Sequence, residues 1–219
     1  MQKQAICLFF AAALVAVAPM APTCASPSQP SPSDYVTITG AEADQAITKA
    51  DAFLSSAQTM VGDFEQKGQD GRVSQGKIYI QKPGRLRFEY AAPATLEVIA
   101  DGSKVAVNDR RLKTQDTYFI GQTPLKFLLQ DKIDLKSDTQ ILNVLKTPDA
   151  VMILLDDRTT FGGTSRIRLI FDKDTYELRA WQVRDPQGYE TLVTLYNVDL
   201  TMKPDPKLFK ISSLDQVKN

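Results

Sequence analysis

The chain has 219 residues, 26 basic against 26 acidic side chains, 43% hydrophobic residues and no histidine. Such a balance leaves no electrostatic footprint for nucleic acid, and without histidine neither a His-based triad nor a His-ligated zinc or copper site can be built. Two cysteines are present, Cys7 and Cys24, both inside the first 25 residues.

Residues 1–25 read as a secretory signal peptide. Lys3 is their sole charge, an apolar run follows from Ala5 to Ala18, and Pro19–Ala25 supplies small residues up to a cut near Ala25. The run is short for a bilayer span. Cys24 beside the cut raises the rival of a lipoprotein signal, although Ala21-Pro22-Thr23 ahead of it lacks the apolar-small-small pattern. A buried N-terminal helix is the other alternative, but nothing polar patterns one. Cleavage predicts a periplasmic chain of about 194 residues with a net charge of −1, no thiol and no disulfide. That length suits one domain with a core held by packing alone.

Residues 26–40 begin with the Pro/Ser-rich Ser26–Asp34, which can bury nothing and reads as a flexible linker. Residues 41–219 form the expected single domain. From Ala41 to about Thr59, the residues Ala43, Ile47, Ala50, Leu54, Ala57 and Val61 recur at three- and four-residue steps. They make one apolar helical face, opposed by Asp44, Lys49, Asp51 and Ser55.

Beyond it, turns punctuate short strands. Lys82-Pro83-Gly84-Arg85 carries Pro and Gly where a type II turn favours them, and Asp101-Gly102, Asn108-Asp109, Gly162-Gly163, Asp172–Thr175 and Asp185–Gly188 are further turns. Alternating runs lie between: 77–81, 85–90, 104–108, 166–171 and 176–184. In 85–90 the charges take one face while Leu86, Phe88 and Tyr90 take the other. This spacing predicts a mainly β (α+β) fold, an antiparallel meander of about 9–11 strands curled into a barrel or half-barrel.

One segment interrupts the meander. Thr123 and Pro124 offer an N-cap and a first helical position, and Leu125, Phe127, Leu128 and Leu129 follow as a dense apolar turn. Such a helix is either a lid or the plain cap of a barrel end.

Little chemistry is available to this chain. Phe161-Gly162-Gly163-Thr164 lacks the spacing and the lysine of a phosphate loop, and no local pattern points to a Ser–Lys dyad. A glycosidase pair needs two opposed carboxylates, whereas Asp101, Asp156, Asp157, Asp172 and Asp174 read as solvated turn residues. An enzyme is not expected, nor any metal or cofactor. What remains is an apolar sheet face under few helices, which is a ligand cavity if covered loosely and ordinary core if covered tightly.

Several segments recur in a known order: Gly62–Gln66, Gly76–Tyr90, Val98–Gly102, Thr123-Pro124-Leu125, Phe171-Asp172 leading to Leu178 and Trp181, and Asp185–Gly188. Across roughly residues 41–210 the chain thereby resembles the periplasmic carriers of outer-membrane lipoproteins, the LolA family. The resemblance implies an incomplete antiparallel barrel covered by an N-terminal helix and a short lid helix, with acyl chains held between. It implies acylated lipoproteins as cargo, an inner-membrane ABC-type release complex and, where present, an outer-membrane acceptor as partners. A shuttle of this kind is most simply monomeric. Leu86, Phe88, Tyr90, Val98 and Ala100 would line the hollow, and Phe119, Leu125, Phe127, Leu128 and Leu129 would roof it. Alternation groups the strand set and helical spacing the roof, while the choice of concave face comes from the family. Family members place an arginine, tied to lid movement, just before the proline of the strand turn. Lys82 stands there instead, keeping the charge and losing the planar fork. The alternative within the same fold is a lipid-binding or envelope-stress sensor module. Sensor relatives usually carry a further domain, and this chain ends soon after Phe209, which favours the carrier.

Overall fold

The computed structural model describes residues 35–124 and 126–212. The expected signal peptide lies outside these residues. The first strand, β1 (Val36–Ile38), precedes helix α1 (Gly40–Ser56), and six strands follow: β2 (Thr59–Gly68), β3 (Val73–Gln81), β4 (Arg85–Tyr90), β5 (Leu96–Asp101), β6 (Lys104–Asp109) and β7 (Thr114–Phe119). Two four-residue helices come next, α2 (Lys126–Leu129) and α3 (Leu135–Asp138). The chain then returns through β8 (Gln140–Lys146), β9 (Ala150–Asp157), β10 (Ser165–Asp172), β11 (Leu178–Arg184) and β12 (Glu190–Asp199) to a 3-10 turn at Pro206–Phe209.

All the strands join one 12-stranded antiparallel sheet in the order β1-β8-β9-β10-β11-β12-β2-β3-β4-β5-β6-β7. Two consecutive meanders, β2–β7 and β8–β12, meet where β12 pairs with β2 from Thr191↔Gly68 to Tyr196↔Asp63. The sheet does not close, since β1 and β7 are left as edges. Twelve strands exceed the 9–11 expected from turn spacing. One reason is β1, which falls inside the segment 26–40 read as linker. Val36–Ile38 pairs with β8 through Val36↔Lys146 and Ile38↔Val144, and turns Ile38 into the core. Three β-prone residues suffice once a partner edge exists, a tertiary effect that composition does not register.

The sheet curls strongly. Trp181 of β11 and Phe88 of β4 stand four strand spacings apart in the sheet order, roughly 19 Å on a flat sheet. Their ring centroids are 6.3 Å apart. Phe127 of α2 meets Trp181 at the same centroid distance, so helix and both sheet halves share one aromatic contact. The apolar face of α1 (Ala46, Ile47, Ala50 and Leu54) packs into the same core cluster. Inside the hollow, Phe64 lies edge-on to Phe88 and Tyr90, at 4.9 and 5.0 Å. Gly76 makes room for it: a Cβ there would meet Phe64 Cε1 at 2.9 Å and the Glu89 carbonyl oxygen at 2.1 Å.

Alternation is clean on β4 but not everywhere. Ala150–Ile153 of β9 are all buried, and so are Glu97–Ala100 of β5. On the convex side the turn Pro206–Phe209 packs on β4 and β5 and buries Phe209. Arg87 reaches the Leu208 carbonyl at 3.2 Å and also pairs with Glu97. The α2 segment differs from its expected form as well. A 3-10 turn at Ile120–Gln122 precedes it, and Thr123 Oγ1 donates back to the Ile120 carbonyl at 2.8 Å instead of capping a helix. Leu125 lies outside the described residues.

Candidate functional site

The strand residues expected to line a hollow share one face. Leu86 opposes Ala100, and Phe88 opposes Val98, across β4 and β5. Together with Tyr90 they belong to the buried core, as do Phe127, Leu128 and Leu129 of α2. The interior is therefore filled by side chains, with α2 seated directly on it. Phe119 stands apart from this group, 62% exposed on the edge strand β7.

The turn between β3 and β4 ties the cover to the sheet. Helix α1 has no basic residue in its last turn, yet each of its last four carbonyls finds a donor. Phe53 O accepts from Ala57 N at 3.0 Å, Ser55 O from Gln58 Nε2 at 2.8 Å, and Ser56 O from Gln58 N at 2.8 Å. The fourth, Leu54 O, is reached by Lys82 Nζ from the strand turn. A cation is thereby supplied at the negative end of the helix by a residue distant in sequence. Two positions on, Gly84 N donates to Leu129 O at the end of α2 (2.8 Å), while Gly84 O accepts from Gly102 N (3.1 Å). Gly84 has φ +75°, and a Cβ there would meet Gly102 Cα at 2.7 Å. The position requires glycine on both counts. Burial lowers the Lys82 pKa to about 8, against the opposing pull of Asp131.

A family profile described as "Outer membrane lipoprotein carrier protein LolA" matches residues 55–212. The chain belongs to the LolA family. Curated outer-membrane lipoprotein carrier proteins align with it at modest identity. That of Methylococcus capsulatus (strain ATCC 33009 / NCIMB 11132 / Bath) is 28% identical over 74% of this chain and 80% of its own length. That of Legionella pneumophila (strain Lens) is 29% identical over 73% and 81%. Among solved structures, a LolA superfamily protein from Nitrosomonas europaea covers 80% of this chain and 98% of its own, with 12% identity and a TM-score of 0.44. Membership makes the chain a lipoprotein carrier of a periplasmic, non-enzymatic transport family, with lipoproteins as cargo.

In this LolA-family chain a second polar tether holds α2, and sequence reasoning missed it. From the sequence Asp157 reads as a solvated turn carboxylate. Instead it ends β9 at 0% exposure, and Lys126, 8% exposed at the start of α2, reaches its Oδ1 at 3.0 Å. Lys126 Nζ also donates to Thr159 Oγ1 at 2.8 Å, while Asp157 Oδ2 has no partner among the described residues. The only hint in the sequence is a lysine interrupting an apolar run. Other turn carboxylates behave as expected: Asp101 accepts from the backbone of Ser103 and Lys104, and Asp172 from Asp174 and Thr175. Those two amide bonds help hold the Asp172 carboxyl at about 2. Beyond α2, Asp51 and Ser55 of α1 accept from the backbone N–H groups of Leu135 and Ile133, at 3.1 and 3.0 Å. A separate open groove of about 740 Å³ lies between α1 and β8. Ile38, Ile47 and Val144 are among its lining residues, together with Asp44, Lys136 and Arg158, and it includes none of the expected lining residues.

Two outcomes follow for these tethers. Lys126→Met leaves a fully buried carboxylate without its cation, held only by Thr159 N and Oγ1, so it should cost about 3–5 kcal/mol in urea unfolding. Adding Asp157→Leu should recover most of that loss, giving a large coupling in the double-mutant cycle. For Lys82, folding lowers the pKa from 10.5 to about 8, so the unfolded chain binds the extra proton between those values. The desolvation cost is present in full below about pH 8 and disappears as pH rises toward 10.5. The stability of the wild type relative to Lys82→Leu should therefore be flat below pH 8 and rise from there to 10.5 in parallel pH-dependent melts.

Proposed function

We propose that the chain collects acylated lipoproteins from an inner-membrane ABC-type release complex and carries them across the periplasm to the outer membrane, to a dedicated acceptor where one exists. The acyl chains would occupy the space between the inward sheet face and α2, with no covalent step. The observation that carries this reading is that, beside α1, part of a large apolar face is covered by a helix of only four residues. Among the described residues its polar ties to the sheet and its connecting loops run through Gly84, Asp157 and Thr159.

The filled interior is read as the unloaded, closed state. To load, α2 swings out and acyl carbons replace Phe127, Leu128 and Leu129 against Phe88 and Trp181. Each buried methylene contributes about 0.8 kcal/mol, so one long chain gains on the order of 10 kcal/mol. Three fully buried chains would pass the practical ceiling of about 18–21 kcal/mol. A carrier that must let go holds its load partially buried under a movable cover. Lys82 is the latch in this scheme, because its turn grips the ends of both helices.

Leu128→Asp separates a lid from fixed core. A movable α2 swings out instead of burying the carboxylate, lowering the melting midpoint by no more than about 5 °C. Uptake of a fluorescent triacylated lipopeptide should be lost. Collapse of the melt, or unchanged uptake, would count against a lid. Lys82→Leu should change the rate at which the loaded lipopeptide leaves while the protein stays folded. Release at the wild-type rate would place the latch elsewhere. Native mass spectrometry of the exported protein should find copurified acylated species.

A further inference from the structure

Along the inward face of β2, one buried side chain is polar where the others are apolar. β2 buries Met60, Phe64 and Gln66 in alternation, and Gln66 is 3% exposed. Its register partners are Val193 on β12 and Ser74 on β3. Tyr90 Oη donates to Gln66 Oε1 at 2.7 Å, with Nε2 at the other end of the amide. Nε2 has no partner among the described residues. Burial raises the Tyr90 pKa, so the hydroxyl keeps its proton and remains a donor. A buried amide N–H without an acceptor is costly, and such groups are rare enough in folded proteins to call for an explanation.

Position supplies one. Gln66 and Tyr90 lie toward the end of the sheet away from Lys82 and α2, near the hairpin joining β2 and β3. Exposure climbs in that direction, from Leu86 at 0% through Phe88 at 4% to Tyr90 at 7%. Ser74 and Thr191, on the same inward face, are already half-buried. The pair thus marks the level where the fully buried apolar set gives way to half-buried polar positions. An acyl chain inserted with its hydrocarbon inward presents its carbonyl at such a boundary.

We infer that Gln66 Nε2 donates a hydrogen bond to the carbonyl oxygen of an ester- or amide-linked acyl chain, with Tyr90 as the positioning residue that orients the amide. The inference rests on the carrier reading and adds a head-end anchor that hydrocarbon burial cannot supply. Burial alone does not distinguish an acyl chain from an alkyl chain; an unpaired donor does, because only the acyl chain brings a carbonyl, a stronger acceptor than an ether oxygen.

The test compares two lipids that differ only in that acceptor, dipalmitoylglycerol and its di-O-hexadecyl ether analogue. Each competes against a fluorescent fatty-acyl probe on the full exported protein. Wild type should prefer the ester by about tenfold, the discrimination expected for one otherwise unsatisfied buried donor. Gln66→Met, close in shape and without a donor, should abolish the preference, so that ester and ether compete equally. Tyr90→Phe should reduce the preference without removing the hydrocarbon contribution. Equal binding of ester and ether by the wild type overturns the inference, and so does a preference that survives in Gln66→Met. Should the wild type bind neither lipid nor the acyl probe, the carrier reading itself fails. Should it bind both lipids equally, only the Gln66 anchor fails.

Discussion

An open sheet with one apolar face has to find cover for it, and in this chain the cover is made of helices whose exposed ends are themselves polar. A helix terminus brings four carbonyls that must be satisfied wherever it is set down. Seating α1 and α2 on the hollow is therefore as much a problem of carbonyl partners as of apolar area. The turn at residues 82–84 meets it from one place: Lys82 serves the end of α1 and Gly84 the end of α2. With those ends held, Leu54 and Leu129 can lie against the curled sheet, and the aromatic contact of Phe88, Trp181 and Phe127 can form.

The tethers of the two helices differ in kind. α1 spans 17 residues, turns an apolar stripe into the core, and has all of its terminal carbonyls partnered. α2 has only four residues and leans on a buried ion pair, Lys126 with Asp157, together with one backbone bond to Gly84. A buried pair adds little net stability against apolar replacements, but it is specific about geometry and costly to leave half-made. That combination suits an element with two positions better than one that is simply core.

How far the amino-acid sequence reveals this arrangement depends on whether a residue's surroundings are local. β4 was legible because Arg85, Arg87 and Glu89 alternate with Leu86, Phe88 and Tyr90, and α1 because its apolar steps repeat at helical spacing. Residues covered on both faces escape that logic. In β9 the run Ala150–Ile153 has no polar side, and in β5 Ile99 is buried on the outward face where Pro206–Phe209 comes to pack. β1 was hidden by length, having three residues and a partner more than a hundred positions away. Within the site, the apolar set of β4, β5 and α2 could be grouped from the sequence. The buried polar residues could not, because nothing local distinguishes Asp157 from a turn carboxylate or Gln66 from a solvated strand position.

The sheet order also bears on how the chain reaches its folded form. Nearly every pairing joins strands adjacent in sequence, the exceptions being the short β1–β8 ladder and the seam between β12 and β2. Each meander can assemble from local hairpins with little loop-closure entropy, whereas the seam must bring Thr191 to Gly68 across the whole intervening chain. The contact of Phe88 with Trp181 takes one ring from each meander and depends on that closure. Until it forms, two half-sheets expose their apolar faces separately, and the single tryptophan of the chain, Trp181, sits on one of them. Its fluorescence is therefore a built-in reporter of the moment at which a concave interior first exists.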